Sequence, residues 1–279
     1  MIKTDLHFHS YYSDGIYSPK ELVKKLKEKK FQKVALTDHN TIDGVDEFLI
    51  LTKKAGLKAI AGVEIYTDYQ GRAFHLLGYD FNLSDKNLSF SLKELQRQRI
   101  PRIKKAIKIL QMDGWKLNEK EVFNTISSYP GLIHLAGPFQ KNPQNWKRIK
   151  KDFNWFPGKI IPITEIIAKY FVGKDGHLIC SETTLPFIQA IKLIKKAGGW
   201  TVLAHPGQHL SWRDDGLIVE FKKMGLDGLE AISSHHSWSE MEHWQKVAKE
   251  NDLEITIGSD FHGDVPKEWG FKVRSQWEY

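Results

Sequence analysis

Short β-prone runs alternate with helix-prone segments along this chain, and that alternation restricts the fold more than any other feature. The runs cover residues 2–8, 33–37, 58–63, 73–78, 200–203, 228–232 and 254–257. Rhythm of this kind favours a parallel sheet or barrel over a sandwich. Helix-start signals fall between the runs. Ser18-Pro19-Lys20-Glu21 combines an N-cap, a proline at the first helical position and a capping-box glutamate. Leu22, Val23 and Leu26 supply the apolar stripe behind it. Ser237-Trp238-Ser239-Glu240 repeats the capping box, and residues 185–197 read as an amphipathic helix stopped by Gly198-Gly199.

Residues 83–184 break the rhythm. A helix is expected over 86–112, interrupted by Pro101, followed by turns at Tyr129-Pro130-Gly131 and Phe156-Pro157-Gly158. The reading is an inserted, mostly helical subdomain at 83–184 within a domain made of 1–82 and 185–279. The length of 279 residues suits one α/β barrel of roughly 250 residues with an insertion. With 41% hydrophobic residues there is enough apolar material to exclude disorder as the main state. No apolar run approaches the roughly 18–20 residues that span a bilayer, and the N-terminus has no signal-peptide pattern. Cys180 is the single cysteine, which excludes a scaffold held by internal disulfides. A cytoplasmic protein without membrane partners is therefore expected. The net charge of +7 fits solvated lysine faces, such as Lys24-Lys25 and Lys29-Lys30, and more weakly an anionic partner.

The twelve histidines are not scattered. Most lie at or just beyond the C-terminal ends of the expected strands, where α/β barrels build their active sites. In Asp5-Leu6-His7-Phe8-His9, strand alternation puts His7 and His9 on one face, with Leu6 and Phe8 on the other. Asp5 shares the histidine face and is placed to orient an imidazole. Asp260 and His262 repeat this spacing in Gly258-Ser259-Asp260-Phe261-His262-Gly263. Asp14, His39, Glu64, His75 and His205 complete the set. Taken singly, Asp14-Gly15 is a turn and Glu64 a surface acid. Converging uncompensated at one barrel mouth, the nine would be costly to bury, and a cluster of cations removes that cost. Nitrogen and oxygen donors without thiolate suggest Zn, Mn or Fe rather than Ca or Cu(I).

The order His7-Phe8-His9, Thr37-Asp38-His39-Asn40, Gly62-Val63-Glu64, His75-Leu76-Leu77-Gly78-Tyr79, Ala204-His205-Pro206 and Gly258–Gly263 resembles the PHP (polymerase and histidinol phosphatase) phosphoesterases over nearly the whole chain. Within that family the inserted region and Gly225-Leu226-Asp227-Gly228-Leu229-Glu230, with His236-Ser237 beyond it, resemble small stand-alone bacterial enzymes. Those act on nucleoside 3′,5′-bisphosphates and trim short RNA from the 5′ end. The resemblance implies a distorted (β/α)7 barrel with three metal ions. It implies that His7, His9, Glu64 and Asp260 hold one ion and that Glu64 bridges to a second on His75 and His205. Asp14, His39 and His262 hold the third. Asp14, Glu64, His205 and Asp260 then carry the central part of catalysis.

The chain also departs from that pattern. Where the similar enzymes read Gly-Arg-Pro-His, a hydrophobic residue and Ala, this chain has Gly131-Leu132-Ile133-His134-Leu135-Ala136. His134 is expected to contact a phosphate, but the arginine is missing, and leucine supplies no fork for a second phosphate. Arg99, Arg102 and Arg213 are candidates to replace it, against the alternative that each is a solvated surface arginine. Asn40 and His236 complete the expected substrate-binding set, although His236 reads equally well as a helix-entry residue. His177, His209 and His243 read as surface residues. The expected activity is metal-dependent hydrolysis of a phosphate ester, in a small nucleotide or a short oligonucleotide end. The alternatives are a histidinol-phosphate-type phosphatase and a non-catalytic metal-binding module.

Overall fold

The computed structural model describes residues 3–173 and 178–263. Two compact units divide them between Glu94 and Leu95 and again between Thr183 and Thr184.

The first unit is a barrel-like sheet with helices around it. Its chain begins with β1 (Thr4–Asp5), α1 (Pro19–Glu28), β2 (Lys33–Leu36) and α2 (Val45–Ala55), followed by β3 (Lys58–Tyr69) and β4 (Arg72–Tyr79). α3 (Lys86–Met112) starts in this unit and ends in the other. α4 (Glu119–Phe123), α5 (Leu132–Lys141), α6 (Pro143–Asp152) and α7 (Ile163–Tyr170) belong to the second unit. The chain then returns through β5 (Leu185–Pro186), α8 (Phe187–Lys196), β6 (Trp200–Leu203) and α9 (Pro206–His209). It ends with α10 (Asp215–Met224), β7 (Gly228–Ser233), α11 (Trp238–Glu250) and β8 (Glu254–Gly258). The strand order is β1-β2-β3-β4-β6-β7-β8, with β5 added to β3. Leu6 N–H donates to Ile257 O at 3.0 Å and Asp260 N–H to His7 O at 2.8 Å, so the last strand meets the first and the sheet nearly closes. This is the distorted seven-stranded barrel that the resemblance implies.

The distortion has a local cause. Gln70 and Gly71, both at positive φ (51° and 76°), form a tight turn that folds β4 back antiparallel on β3. β4 is also antiparallel to β6, whereas β1–β2, β2–β3, β6–β7 and β7–β8 are parallel. The expectation of a parallel sheet therefore fails at β4. β1 is also shorter than expected. Phe8 pairs with Phe261 only as an isolated bridge. Regular alternation stops with it: Leu6 packs among strand residues (Leu77, Tyr79, Val202), while Phe8 packs under α1 and α2 with Leu22, Leu26 and Phe48.

Both capping boxes form. Ser18 Oγ accepts from Glu21 N and Ser237 Oγ from Glu240 N, each at 3.3 Å. α8 starts at Phe187 rather than 185, because Leu185-Pro186 pairs with Thr67-Asp68 of β3.

The second unit has its own core. Ile103, Ala106, Ile107 and Leu110 of α3 pack with Trp115, Phe139, Ile149, Ile166 and Phe171. α3 runs unbroken through Pro101, against the expected interruption. The proline removes one ladder donor, and this buried stripe beyond it keeps the helix in register. Cys180 is buried in the same core, where burial pushes its thiol up to about 11. It is unsuited to act as a nucleophile near neutral pH. No helix among the described residues is long and apolar enough to cross a membrane.

Candidate metal centre

The nine residues predicted to converge do so: seven come from just beyond the C-terminal ends of β1, β2, β6 and β8, Glu64 from within β3 and His75 from the first half of antiparallel β4. Glu64, in the middle of β3 and fully buried, lies at their hub. Its Oε2 lies 3.1 Å from His7 Nε2, 3.2 Å from His9 Nε2 and 2.9 Å from His39 Nδ1. Its Oε1 lies 2.9 Å from His75 Nδ1 and 3.2 Å from His205 Nε2. Asp260 Oδ1 is 2.9 Å from His9 Nε2 and 3.2 Å from His7 Nε2. Asp14 meets His262 Nε2 at 3.2 Å and His39 Nε2 at 3.7 Å. His7, His9, Glu64 and Asp260 form one group able to hold a metal ion, and His9, Asp14, His39 and His262 another. His75 falls into two further groups, with His39 and Glu64 and with His205 and His209.

The backbone is bent to achieve this. His205 (φ 26°), Asp260 (φ 54°) and Asn40 (φ 47°) all have positive φ. Such conformations cost of order 1–3 kcal/mol each and persist where the surroundings impose them. Gly258 is required by space: a Cβ there would lie 2.0 Å from Glu230 Oε1 and 2.4 Å from His7 Cβ.

Burial opposes charge on His7, Asp14, His39, Glu64, Asp260 and His262, yet the opposite charges around them win. His262, facing Asp14 and Asp260, is pushed up to about 10, and His39, facing Glu64 and Asp14, to about 9. His7 is raised well above the usual range by Glu230, Glu64 and Asp260. Glu64 and Asp260 are held well below the usual carboxylate range by the same imidazoles, and Asp14 is lowered by His262 and His39. His205 goes the other way, because burial dominates and His75 adds to it.

Four basin atoms, His7 Nε2, His39 Nδ1, Glu64 Oε2 and His205 Nδ1, are buried with no hydrogen bond of sound geometry. Three of them nevertheless lie within 3.1 Å of another basin donor or acceptor. Lone pairs aimed at shared points rather than at one another are what divalent cations require. The residues present therefore fit a metal cluster.

Sequence reasoning missed three residues of this region. Glu230, fully buried on β7, meets His7 Nδ1 at 2.8 Å through Oε1 and accepts the His205 N–H at 2.8 Å through Oε2. The available signal was a carboxylate inside an otherwise apolar parallel strand. His235 Nε2 lies 2.7 Å from Asp260 Oδ2. His209, expected at the surface, is half-buried against His75 and His205. Asp5 orients the His7 backbone rather than an imidazole: it accepts His7 N–H at 3.1 Å and Ser259 N–H at 3.0 Å. Asp38 accepts from Ser10 N–H and from the Ser10 and Ser13 hydroxyls, which shapes the loop carrying Asp14.

The expected substrate-binding residues fall in both units. Asn40 is buried beside Glu64, donating N–H to Glu64 O (2.8 Å) and accepting Tyr66 N–H (3.1 Å). His236 is buried with Nδ1 3.1 Å from Ala231 O and Nε2 accepting Gly207 N–H at 2.9 Å, so both ring nitrogens are engaged. Arg213 is exposed on a 3-10 turn over Trp212–Asp214. In the second unit, His134 lies in the first turn of α5, its Nδ1 accepting Gly131 N–H at 3.0 Å, which leaves the neutral ring's proton on Nε2. Arg99 is fully buried and donates to Pro130 O (3.1 Å), Cys180 O (3.2 Å) and Glu182 Oε1 (2.5 Å). Arg102 donates to Ser181 Oγ (3.1 Å) and Glu182 O. His243, expected at the surface, is half-buried against Trp212 and 3.0 Å from Asp215 Oδ1. His177 lies outside the described residues.

Comparison with known proteins converges with this geometry. A family model described as the PHP domain matches residues 5–171. A 5′-3′ exoribonuclease of Haemophilus influenzae is 34% identical over 266 residues, covering 93% of this chain and 90% of that protein. A 3′,5′-nucleoside bisphosphate phosphatase of Chromobacterium violaceum is 27% identical, covering 98% and 91%. The solved structure of an amidohydrolase from C. violaceum, holding sulfate and no metal, superposes with a TM-score of 0.79 at 23% identity, over 99% of this chain and 95% of that one. At that identity the likeness is one of fold.

Proposed function

Because the chain belongs to the PHP domain family, we propose that it is a metal-dependent phosphoesterase acting on a nucleoside 3′,5′-bisphosphate or on the 5′ end of a short oligonucleotide. The observation that carries this is the basin of buried, unsatisfied imidazole and carboxylate atoms around Glu64. In this reading two to three divalent ions, of Mn, Zn or Fe, occupy the basin. His7, His9, Glu64 and Asp260 hold the first, Glu64 with His75 and His205 the second, and Asp14, His39 and His262 the third. Bound there, such ions supply Lewis acidity toward phosphoryl oxygens and bring the pKa of a water close to 7.

The chain's own residues do the positioning. Glu230 Oε1 accepts a hydrogen bond from His7 Nδ1–H, which keeps the ring proton on Nδ1 and leaves a lone pair on Nε2, facing Glu64 and Asp260. The backbone carbonyl of Asp260, 2.8 Å from His262 Nδ1, does the same for that ring, whose Nε2 faces Asp14. Asn40 pins the strand beside Glu64. No serine or cysteine nucleophile is required. The proposal assigns phosphate contact to His134 Nε2–H, and further substrate contact to Asn40 and to Arg102 or Arg213; Arg99 and His236, whose polar atoms are engaged within the protein, drop out of the expected set. The relatives' names support the nucleotide substrate. Leu132, at the position where the similar enzymes carry arginine, favours the second reading, a phosphatase of the histidinol-phosphate type. The single thiol, Cys180, supports a reducing, cytoplasmic compartment.

The test is phosphate release by Mn-reconstituted protein from 3′,5′-bisphosphates, 5′-phosphorylated RNA oligomers, histidinol phosphate and simple monophosphates, with Asp14→Ala as control. Selective turnover of bisphosphates or RNA ends, lowered at least about 100-fold in the control, is expected. Turnover confined to histidinol phosphate would replace the nucleotide reading with the second one. Silence across the panel from a metal-loaded sample would favour a non-catalytic module.

A further inference from the structure

His209 stands outside the nine-residue set, yet the fold brings it to the same basin. It lies four residues after His205, across the single turn of α9. His205 is the N-cap of that turn, and its bent backbone (φ 26°) turns its ring to within 5.2 Å of the His209 ring. Its Nε2 is buried with no hydrogen-bond partner, an arrangement that costs free energy unless something fills it. The donor atoms of His75, His205 and His209 all lie within 4.8 Å of one another.

The rings also stand in the right relation. Their centres are 5.0 Å apart for His75–His205, 4.9 Å for His75–His209 and 5.2 Å for His205–His209. With metal–nitrogen bonds of about 2.1 Å, imidazole centres sit about 3.2 Å from a shared ion. Two such rings are then about 4.5 Å apart at a right angle and about 5.2 Å apart at the tetrahedral angle. All three observed separations fall within that interval. Arg72 holds the turn in place: its Nη2 donates to His209 O at 2.8 Å while Nη1 donates to Asp214 Oδ1 at 2.9 Å.

We propose that His209 is a third imidazole ligand to the divalent cation held by His75 and His205, making that position a three-histidine site. The inference rests on reading the basin as a metal centre. It makes the cation positions chemically unequal. The His209 position presents three nitrogens, whereas His7, His9, Glu64 and Asp260 present two nitrogens and two carboxylates. The nitrogen-rich position suits Zn or Fe, and the oxygen-richer one is more accommodating to Mn.

The competing role for His209 is packing, since its ring lies 5.8 Å from that of Phe74. His209→Phe keeps an aromatic ring there and removes both nitrogens, and His209→Gln keeps a polar side chain of smaller bulk. Wild type and both variants, stripped of metal, would be titrated with Co(II) and Zn(II), following the visible cobalt bands and the metal retained after gel filtration. Both variants are expected to retain one cation fewer than wild type, or to hold it at least about tenfold more weakly, with altered cobalt bands. Unchanged stoichiometry, affinity and bands in either folded variant would overturn the role of His209 and leave the metal centre standing. A wild-type protein that takes up no cation would overturn both.

Discussion

Glu230 holds the His7 ring and the His205 backbone with its two oxygens, and so sets two of the nine basin residues without belonging to the basin itself. Glu230→Gln keeps the shape but removes the charge that draws the proton onto His7 Nδ1. Metal affinity is expected to fall about 10–100-fold with the fold retained, as isothermal titration of the stripped protein would show. Protons supply a second expectation at this scale. His39 and His262, raised to about 9 and 10, are protonated at neutral pH without metal, and cation binding must expel those protons. Titrations at pH 7 in buffers of different ionisation enthalpy should therefore reveal net proton release. What was legible at this scale was whatever sits in short local motifs: His7, His9, Asp260 and His262 announce themselves by spacing, and His39 and His205 by their short motifs at expected strand ends. Glu230 and His209 do not, because each gains its role from residues far away in sequence.

Elements were legible where a local rule decides them. Ser18 and Ser237 cap their helices as their sequences require, and replacing either with alanine should cost about 1 kcal/mol in a denaturation experiment. The β3–β4 hairpin was not legible, because Gln70-Gly71 is a weaker turn signal than Asn-Gly and residues 66–69 mix apolar with polar side chains. α3 survives Pro101 for a reason found only in packing, the buried stripe from Ile103 to Leu110. Arg99 on the same helix shows how burial changes a residue's meaning. The sequence allows a solvated or substrate-facing arginine, but the structure ties its guanidinium to Pro130 O, Cys180 O and Glu182. Arg99→Met should destabilise the second unit by about 3–5 kcal/mol, measured by urea unfolding, because it strands a carboxylate and two buried carbonyls.

For the whole molecule, the basin's charge balance sets how stability responds to pH and metal. Without metal, His39 and His262 have folded pKa values above the ordinary 6.5. Their contribution is complete below about pH 6.5 and is lost as pH rises through about 9 and 10. Asp14, Glu64 and Asp260, depressed below the ordinary carboxylate range, contribute above it and lose that contribution in acid. The melting temperature of the metal-free protein should thus be highest near pH 5–6.5 and decline toward pH 10. Added Zn(II) or Mn(II) should reverse the alkaline decline, since cations replace the departing protons and stabilise the state that binds them. A melting profile unmoved by metal at pH 9 would count against the basin as a cation site.

The seam where Leu6 meets Ile257 and His7 meets Asp260 has a consequence for the timing of synthesis. Asp260 and His262 leave the ribosome more than two hundred and fifty positions after His7 and His9. A nascent or prematurely terminated chain could form the helices and most of the strands, yet it would lack two of the nine basin residues and the strand that holds the first pair in place. A cation-loaded basin would then wait until the segment carrying Asp260 and His262 has been made and has closed on the first strand.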